Sequence, residues 1–397
     1  MKEVYIIDYQ RTPVGKYGGI LSSIRPDDLA AFAIKALLNR NEYLDVGSID
    51  DVILGCANQA GEDNRNIARF AALLAGLPVE VPGVTVNRLC ASGMQSVMDG
   101  FARIKAGLAD VIIAGGVESM SRAPYVMAKS NKAFERGLEL ADTTLGSRFV
   151  NKQLAEMYYP YAMGETAEII ADRWQIGRAE QDAFAYASHM KYMKAFGEGK
   201  FKGEIMSLPS LALDDTKPMD QGVRADTSIA KLAQLKPAFK EHGSVTAGNA
   251  SGLNDGAAAM LLVSGEVVEK YGLKPLAKIV SSSVVGVHPD IMGTGPVPAT
   301  QKILKQTGLA MADIDLMEIN EAYAVQVIYS MNELKVDEHK VNVNGGALAI
   351  GHPLGVSGTR ITGHLALELK RTNKQYGIAT MCVGVGQGTA LLIENII

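Results

Sequence analysis

The chain carries the same order of predicted elements twice, and this internal repeat restricts its fold more than any other feature. In each copy an apolar strand pattern precedes a helical pattern, a second strand pattern and a short segment that ends in Val-Asn. An amphipathic helix and a buried strand that ends in glycines then follow. Ile49 corresponds to Ile314, and Asn87 to Asn344, with only small insertions between them. The predicted stretches are 4–9, 27–38, 48–54, 84–87 and 111–116 in the first copy and 277–285, 298–306, 313–319, 341–344 and 378–384 in the second.

Strands that alternate with helices favour a largely parallel sheet that is covered by helices on both faces. The repeat therefore predicts an α/β protein whose two halves pack about a pseudo-twofold axis. Two unrelated α/β lobes are the alternative that the pattern alone leaves open. With 397 residues, 47% of them hydrophobic, the chain is long enough to bury two or three cores.

Residues 119–248 interrupt the repeat. This insertion contains helical patterns at 166–174 and 179–195 with polar loops around them, and it lacks the acidic excess of the rest of the chain. A region of balanced charge suits an anionic ligand better than acidic surroundings do. We therefore expect a loop domain that acts as a lid over 119–248, an N-terminal half over 1–118 and 249–270, and a C-terminal half over 271–397.

Charge and cysteine content argue against several classes of protein. The formal net charge is -4 and the pI is about 5.9, and no run of Lys or Arg offers the surface that nucleic acid requires. The three cysteines form no CxxC pair, which argues against a structural zinc site or a disulfide framework. No apolar run approaches the roughly 20 residues that span a bilayer. The sequence thus predicts a soluble cytoplasmic protein without a metal site.

Cys90 follows a strand pattern at the predicted start of a helix. The unpaired N–H groups and the positive dipole end of a helix stabilise a thiolate at this position. The small residues Ala91, Ser92 and Gly93 allow a close approach of neighbouring backbone. We interpret Cys90 as a nucleophile that carries an acyl group, and a buried cysteine that only fills the core is the alternative.

His352 lies in the glycine-rich segment 345–355 and precedes Pro353, which keeps the histidine backbone extended and outside the helix that follows. The ring can therefore project from a loop that a substrate approaches closely. We interpret His352 as a base or an oxyanion donor. A ring that is merely solvated or hydrogen-bonded is the alternative.

Cys382 and Asn320 complete the candidate set. Cys382 ends a strand pattern and enters a run of glycines (Gly384, Gly386 and Gly388) whose N–H groups suit an oxyanion hole. A thiol with an ordinary pKa of about 8.5 can exchange a proton with carbon near neutral pH, and a core cysteine is the alternative. Asn320 lies between a strand pattern and a helix pattern, where it is suited to hold a water molecule or to cap the helix.

Five short motifs occur in a fixed order along the chain. They are Asn-Arg-Leu-Cys-Ala-Ser-Gly at 87–93, Gly-Gly-Val-Glu-Ser-Met-Ser at 115–121, Asn-Glu-Ala-Tyr-Ala at 320–324, Gly-His-Pro-Leu-Gly at 351–355 and Cys-Val-Gly-Val-Gly-Gln-Gly at 382–388. Together they resemble the thiolase family over nearly the whole chain, whereas motifs of dinucleotide-binding, P-loop and zincin proteins do not occur. The resemblance implies a five-layered αβαβα thiolase fold, built from two βαβαβαββ halves with an inserted loop domain. It also implies a homodimer or homotetramer that is built through the N-terminal half.

The resemblance assigns chemical roles as well. It implies acyl transfer to Cys90, activation of this thiol by His352, and acid–base action of Cys382 at the α-carbon of acetyl-CoA. One oxyanion hole would use His352 with a water held by Asn320, and the other would use the backbone N–H groups of Cys90 and Gly384. Coenzyme A and acyl-CoA are thus expected as substrates, with no permanently bound cofactor.

Further residues match positions of the family that contact CoA or the acyl group. The segment 245–252 looks like the pantetheine-binding stretch of thiolases. The matched positions are Ala247 and Ser251 in this stretch, Arg224 and Phe239 near the nucleotide end, and Met163 and Tyr323 closer to the acyl group.

The subfamily is indicated by two segments, 55–66 and 381–388, which are similar to those of 3-oxoadipyl-CoA thiolases, enzymes of aromatic catabolism. The lid carries Ala-Met-Gly at 162–164, where biosynthetic thiolases have His-Met-Gly, and this leaves more room or a different polarity beside the acyl group. The tyrosines within 158–161 do not match the oxoadipyl enzymes. We predict thiolytic cleavage of a 3-oxoacyl-CoA, with 3-oxoadipyl-CoA as the leading substrate.

Three other functions stay open. The first is an acetoacetyl-CoA thiolase that condenses two molecules of acetyl-CoA. The second is a condensing enzyme of the ketoacyl-synthase type, although such enzymes have a histidine where Cys382 stands. The third is a non-catalytic carrier of acyl-CoA or lipid on the same scaffold. A regulatory disulfide between Cys90 and Cys382 can coexist with catalysis.

Overall fold

The computed structural model describes residues 1–130, 132–208 and 220–396. Its strands are β1 (Val4–Arg11), β2 (Gly15–Lys16), β3 (Asp51–Gly55), β4 (Gly83–Val86), β5 (Val111–Ser119), β6 (Tyr125–Met127), β7 (Leu140–Asp142), β8 (Asn254–Ser264), β9 (Ala277–Gly286), β10 (Leu316–Ile319), β11 (Tyr376–Val383) and β12 (Gln387–Asn395). Its α-helices are α1 (Pro26–Arg40), α2 (Ile67–Leu74), α3 (Ser92–Lys105), α4 (Lys152–Met157), α5 (Met163–Trp174), α6 (Arg178–Gly197), α7 (Ile229–Ala233), α8 (Gly265–Tyr271), α9 (Pro296–Thr307), α10 (Ala324–Leu334), α11 (Ala347–Ile350) and α12 (Leu354–Thr372).

Ten strands form one large mixed sheet in the order β10-β11-β12-β9-β1-β8-β5-β3-β4, with β2 paired to β8. The two halves of the chain meet where β1 pairs with β9. In the described parts of the chain, parallel pairing is confined to β3–β4, β3–β5 and β10–β11. The expectation of a largely parallel sheet is therefore wrong. Each half ends with a strand that runs back antiparallel along its neighbour, β8 against β5 and β12 against β11.

The apolar side chains form three large clusters that define five layers. Helices α3 and α12 lie in the middle and bury apolar side chains against strands of both halves. Helices α1 and α2 cover the outer face of the N-terminal strands, and α5, α9 and α10 cover the outer face of the C-terminal strands. This arrangement is the predicted αβαβα layering, and it follows from strands whose two faces are both apolar.

The two halves differ at the third strand of the repeat. Residues 84–87 contribute to β4, but the corresponding residues 341–344 do not form the expected strand, since Val341 makes only an isolated bridge to Met317. Asn342 explains this difference because its backbone is left-handed, with φ 45°. Its side-chain amide bonds both the N–H and the C=O of Ile319, each at 2.8 Å. The amide thus provides the hydrogen bonds that a neighbouring strand would otherwise supply.

The insertion leaves the large sheet after β5 and returns at β8. It contributes the small β6–β7 sheet and helices α4 to α7. Strand β8 pairs with both β5 and β1 of the N-terminal half, and the bounds 249–270 stay a prediction. No helix within the described ranges is both long and apolar enough to cross a membrane.

The first turns of α3 and α12 approach each other closely because both carry glycine. A Cβ atom added to Gly93 would lie 2.5 Å from the carbonyl oxygen of Gly355. A Cβ atom added to Gly358 would lie 2.2 Å from the backbone nitrogen of Met94. Real Cβ contacts do not occur at such distances, so glycine is required for the two helices to cross this closely.

We predict that Gly358→Ala lowers the free energy of unfolding by about 2–3 kcal/mol or more, because the new methyl group forces two packed helices apart. Gly197→Ala is the matched control, since the added Cβ meets no described atom within 4 Å at this position at the end of α6. Denaturant titration of both variants checks the prediction. Equal stabilities of the two variants would contradict the proposed close crossing.

Candidate active site

Cys90 lies in a short turn of 3₁₀ helix, Leu89–Ala91, between β4 and α3. Leu89 has a left-handed backbone with φ 47°, which bends the chain sharply before the cysteine. The side chain of Cys90 is buried, with 6% of its surface exposed. The structure thus confirms the predicted position of this thiol, just before the start of α3.

The backbone N–H of Gly384 faces the thiol of Cys90 and lowers its pKa, but burial has the larger effect and raises the pKa to about 11. The buried carboxyl of Glu118 raises the pKa slightly further. Cys90 is therefore a neutral thiol in the free protein. An N–H group that already points at the sulfur is well placed to stabilise negative charge there.

Cys382 lies near the end of β11, where it is almost completely buried. Burial raises its pKa well above the usual value for a thiol, and the nearby Cys90 adds to this effect. Burial raises the pKa of the Tyr323 hydroxyl too, with smaller contributions from both thiols. Cys90, Cys382 and Tyr323 therefore share one apolar environment. All three cysteines of the chain are free thiols, and the proposed Cys90–Cys382 disulfide stays a prediction.

Met163 reaches the same place from the insertion. A Cβ atom added to Gly384 would lie 3.2 Å from Leu89 and 3.6 Å from the sulfur of Met163. The two apolar side chains thus enclose the glycine whose N–H faces Cys90. An acyl chain on Cys90 would meet this apolar surface first.

His352 is held by several hydrogen bonds in front of α12. Its backbone N–H donates to the side-chain oxygen of Asn254 at 2.9 Å, after Gly351, whose φ of 115° excludes other residues. Its Nδ1 lies 2.6 Å from the hydroxyl of Ser357. Burial, with a contribution from the nearby cation of Arg360, lowers the pKa of the imidazole to about 3. The ring is therefore neutral at physiological pH and able to accept a proton.

Asn320 faces the imidazole of His352. Its side-chain nitrogen lies 3.4 Å from each of the two ring nitrogens. Its side-chain oxygen is buried and has no hydrogen-bond partner among the described residues. Since buried amide oxygens rarely stay unpaired, the position suits the predicted role of Asn320 in holding a water molecule.

Two buried glutamates brace the site, and the sequence analysis did not select either of them. Glu118, at the end of β5, accepts the N–H groups of Ala57, Asn58 and Gly355 at 2.8–3.0 Å. Burial raises its pKa to about 7, and these three donors oppose that effect. Glu118 thus ties the loop after β3 to the turn that follows His352. Its presence in the 115–121 motif was the only signal in the sequence.

Glu321 performs a similar role on the other side of the histidine loop. It accepts a hydrogen bond from the hydroxyl of Ser188 at 2.7 Å and from the N–H of Leu348 at 3.0 Å. It also accepts one from the side chain of Asn342 at 2.8 Å. Glu321 therefore fixes the loop that leads to His352, next to Asn320 in the sequence.

A cleft of about 230 Å³ leads toward this site from the surface of the insertion. Arg224 and Ala247, whose contacts with CoA stay a prediction, line it together with Gly351 and Asn254, the neighbours of His352. Further lining residues are the cations Lys16 and Lys231, the acid Asp226, and the apolar Leu232, Leu235, Ala250 and Leu348. A cleft with an excess of positive charge at its mouth suits a ligand with phosphate groups.

Phe239 and Ser251 lie beside the cleft and not on its wall. The ring of Phe239 packs edge-on against Tyr323, with centroids 6.2 Å apart. Its close contact with Gly164 leaves no room for a side chain at that glycine. Ser251 donates its backbone N–H to Ala322 at 2.9 Å. Phe239 therefore connects the insertion, and Ser251 the chain just after it, to the segment that carries Asn320 and Tyr323.

The structure thus groups the predicted residues into two sets. The first set consists of the thiols of Cys90 and Cys382 with their neighbours Gly384, Met163 and Tyr323. The second set, Arg224 and Ala247, lines the cleft. His352 and Asn320 face each other, and His352 is bonded to Asn254, which lines the cleft. In the parts of the chain that the structure describes, no group of three or more His, Cys, Asp or Glu side chains is arranged to hold a metal ion.

Two family models match nearly the whole chain. The model of the thiolase N-terminal domain matches residues 4–266, and that of the thiolase C-terminal domain matches residues 273–395. A beta-ketoadipyl-CoA thiolase of Pseudomonas aeruginosa is 51% identical over 399 residues, covering 100% of both chains.

Two solved structures have the same fold. Human mitochondrial 3-ketoacyl-CoA thiolase in complex with CoA is 39% identical, with a TM-score of 0.93 over 100% of this chain and 98% of the other. Bacillus anthracis acetyl-CoA acetyltransferase is 42% identical, with a TM-score of 0.91 over 100% of this chain and 99% of the other.

We predict that alkylation of Cys90 by iodoacetamide accelerates roughly tenfold per pH unit between about pH 6 and pH 9, because only the thiolate reacts and its pKa is about 11. Peptide mapping by mass spectrometry measures the rate, with Cys56 as an internal reference. A rate that levels off near neutral pH would instead indicate a preformed pair of Cys90 thiolate and protonated His352.

Proposed function

The chain belongs to the thiolase family, and we propose that its physiological substrate is 3-oxoadipyl-CoA. It is an acyltransferase that cleaves a 3-oxoacyl-CoA with coenzyme A to give acetyl-CoA and a shortened acyl-CoA. Coenzyme A enters as a substrate, and the reaction needs no permanently bound cofactor. The proposal for the acyl chain is supported by the relative from Pseudomonas aeruginosa, which is named a beta-ketoadipyl-CoA thiolase.

One observation carries the assignment of roles. The neutral thiol of Cys90 lies between a second thiol and an N–H donor, with a neutral histidine at the start of the adjacent helix. Carbon–carbon cleavage of a 3-oxo thioester needs a nucleophile, a base, an oxyanion donor and a proton donor to carbon. The site offers one group for each of these tasks.

In the first half-reaction, the sulfur of Cys90 attacks the 3-oxo carbon while His352 accepts the thiol proton. The negative charge on the former carbonyl oxygen is stabilised by the protonated ring and by a water that Asn320 holds. When the carbonyl re-forms, the C2–C3 bond breaks and its electron pair moves to C2. Cys382 gives its proton to C2, and acetyl-CoA leaves.

In the second half-reaction, the thiol of CoA attacks the acyl group on Cys90. The backbone N–H groups of Gly384 and Cys90 stabilise the oxyanion that forms. The proton of the CoA thiol passes to the Cys382 thiolate. Cleavage of the bond to Cys90 releases the shortened acyl-CoA, and the proton held by His352 returns to the Cys90 sulfur, so that both thiols and the neutral ring are restored. The kinetics are therefore of the ping-pong type.

We further propose a homodimer or homotetramer in the cytoplasm. Segment 125–161 exposes many large apolar side chains, including Tyr125, Phe134 and Leu140, with 69%, 98% and 66% of their surfaces exposed. Strand β4 is an edge of the large sheet, and both features are typical of surfaces that a second subunit covers. The buried free thiols are in keeping with a reducing compartment.

We predict that kcat/KM for 3-oxoadipyl-CoA exceeds that for acetoacetyl-CoA and for a medium-chain 3-oxoacyl-CoA by about tenfold or more, as expected when a pocket fits one substrate and not another. Cys90→Ala should abolish cleavage and covalent acylation, whereas Cys56→Ala, which removes a buried thiol elsewhere, should retain both. Preference for acetoacetyl-CoA would overturn the proposed substrate. Acylation in the Cys90 variant would overturn the assignment of the nucleophile.

We also predict that light scattering gives a mass that is a multiple of the 42.3 kDa chain. The double substitution Phe134→Glu and Leu140→Glu should produce a smaller assembly, because charge cannot be buried in an apolar interface at low cost. Leu108→Glu is the control, since Leu108 is 79% exposed and lies outside this segment. A monomeric native protein would refute the proposed assembly.

A further inference from the structure

Ser357 makes the shortest hydrogen bond to the ring of His352. Its hydroxyl oxygen lies 2.6 Å from Nδ1 and 3.0 Å from the carbonyl oxygen of Pro353. The side chain is in the second turn of α12 and is fully buried. No step of the mechanism above uses this hydroxyl.

A hydroxyl group has a single hydrogen, so two arrangements of these three groups are open. In the first, Nδ1–H donates to the serine oxygen, and the serine hydrogen is donated to the carbonyl of Pro353. In the second, the serine hydrogen is donated to Nδ1, and the ring then carries its own proton on Nε2. In the first arrangement the basic nitrogen of the ring is Nε2, and in the second it is Nδ1.

The proposed function requires one of these two arrangements. Ser357 lies 2.6 Å from Nδ1, whereas the neighbour at Nε2 is the side-chain nitrogen of Asn320 at the longer distance of 3.4 Å. We therefore assign Nε2 as the ring nitrogen that takes the proton of Cys90. This nitrogen can accept a proton only in the first arrangement. The protonated ring then carries hydrogen on both nitrogens, and the serine oxygen can accept from Nδ1–H throughout, since its own hydrogen stays on the carbonyl of Pro353.

We propose that Ser357 is a positioning residue that fixes the proton of neutral His352 on Nδ1 and so leaves Nε2 as the base for Cys90. This inference rests on the proposed thiolase function. It is relevant at working pH because the pKa of His352, lowered to about 3 by burial, leaves the ring neutral, with a single proton to place. The carbonyl of Pro353 also accepts the backbone N–H groups of Val356 and Ser357, so the anchor for the serine hydrogen is itself fixed by the helix.

Ser330 offers a matched control on another helix. It is also fully buried, and its hydroxyl donates to the carbonyl oxygen four residues earlier, that of Gln326, at 2.8 Å. Ser357 has the same relation to Pro353. The two serines thus share burial and helix geometry, and they differ in the presence of the imidazole.

The test is the single-turnover rate of Cys90 acylation in Ser357→Ala, Ser357→Thr and Ser330→Ala. We expect Ser357→Ala to acylate about ten- to a hundredfold more slowly than the native protein, as typical for the loss of a hydrogen bond to a charged group. KM should change less than kcat, because the side chain of Ser357 is fully buried. Ser357→Thr keeps the hydroxyl and should recover most of the rate, and Ser330→Ala should acylate at the native rate.

Other outcomes have distinct meanings. If the native protein cleaves 3-oxoacyl-CoA but Ser357→Ala acylates as fast as Ser330→Ala, the inference about Ser357 is wrong and the proposed function stands. If the native protein cleaves no 3-oxoacyl-CoA, the proposed function is wrong. The ¹⁵N spectrum of ring-labelled histidine then still tests the tautomer, since a proton on Nε2 of His352 in the native protein would overturn the inference.

Discussion

The active site depends on how closely α3 and α12 approach each other. Cys90 lies two residues before the first residue of α3, and His352 lies two residues before the first residue of α12. The distance between the two helix starts is set by Gly93, which lies against the backbone of Gly355, and by Gly358, which lies against the backbone of Met94. A side chain at either glycine would separate Cys90 from His352, the proposed nucleophile and base. The central layer of the fold therefore also places the proposed catalytic residues Cys90 and His352.

Burial then sets the protonation states. The same removal from water raises the pKa of Cys90 to about 11 and lowers that of His352 to about 3, because the charged form is disfavoured in both groups. A thiolate–imidazolium pair is thus unfavourable before substrate binds. In the proposed mechanism, charge appears as the bond to substrate forms, and the N–H of Gly384 and the ring of His352 stabilise it. The free site is accordingly a neutral site that is organised for an anionic transition state.

The sequence was sufficient for the repeat, since its strands and helices have local signals, whereas the five layers were expected from the resemblance to thiolases. It was not sufficient where a residue acts through a distant partner. Glu118 accepts the backbone N–H groups of Asn58 and Gly355. No sequence pattern near Glu118 predicts these distant partners. The missing strand at 341–344 has a similar cause, because the side chain of Asn342 takes over hydrogen bonds of Ile319. The mixed sheet was missed because strand periodicity does not reveal strand direction.

The two halves of the repeat carry different side chains at equivalent positions. Cys90 and His352 stand at equivalent helix starts, one as a thiol and the other as an imidazole. Glu118 and Cys382 are each the residue before the last of their strands, β5 and β11. The carboxyl of Glu118 receives three N–H groups and fixes loops, whereas Cys382 lies in apolar surroundings that keep its proton on sulfur. Burial raises the pKa of both groups. Since the ordinary pKa of a thiol is several units above that of a carboxyl, the thiol is the group that keeps its proton at neutral pH, as the proposed donor to carbon must.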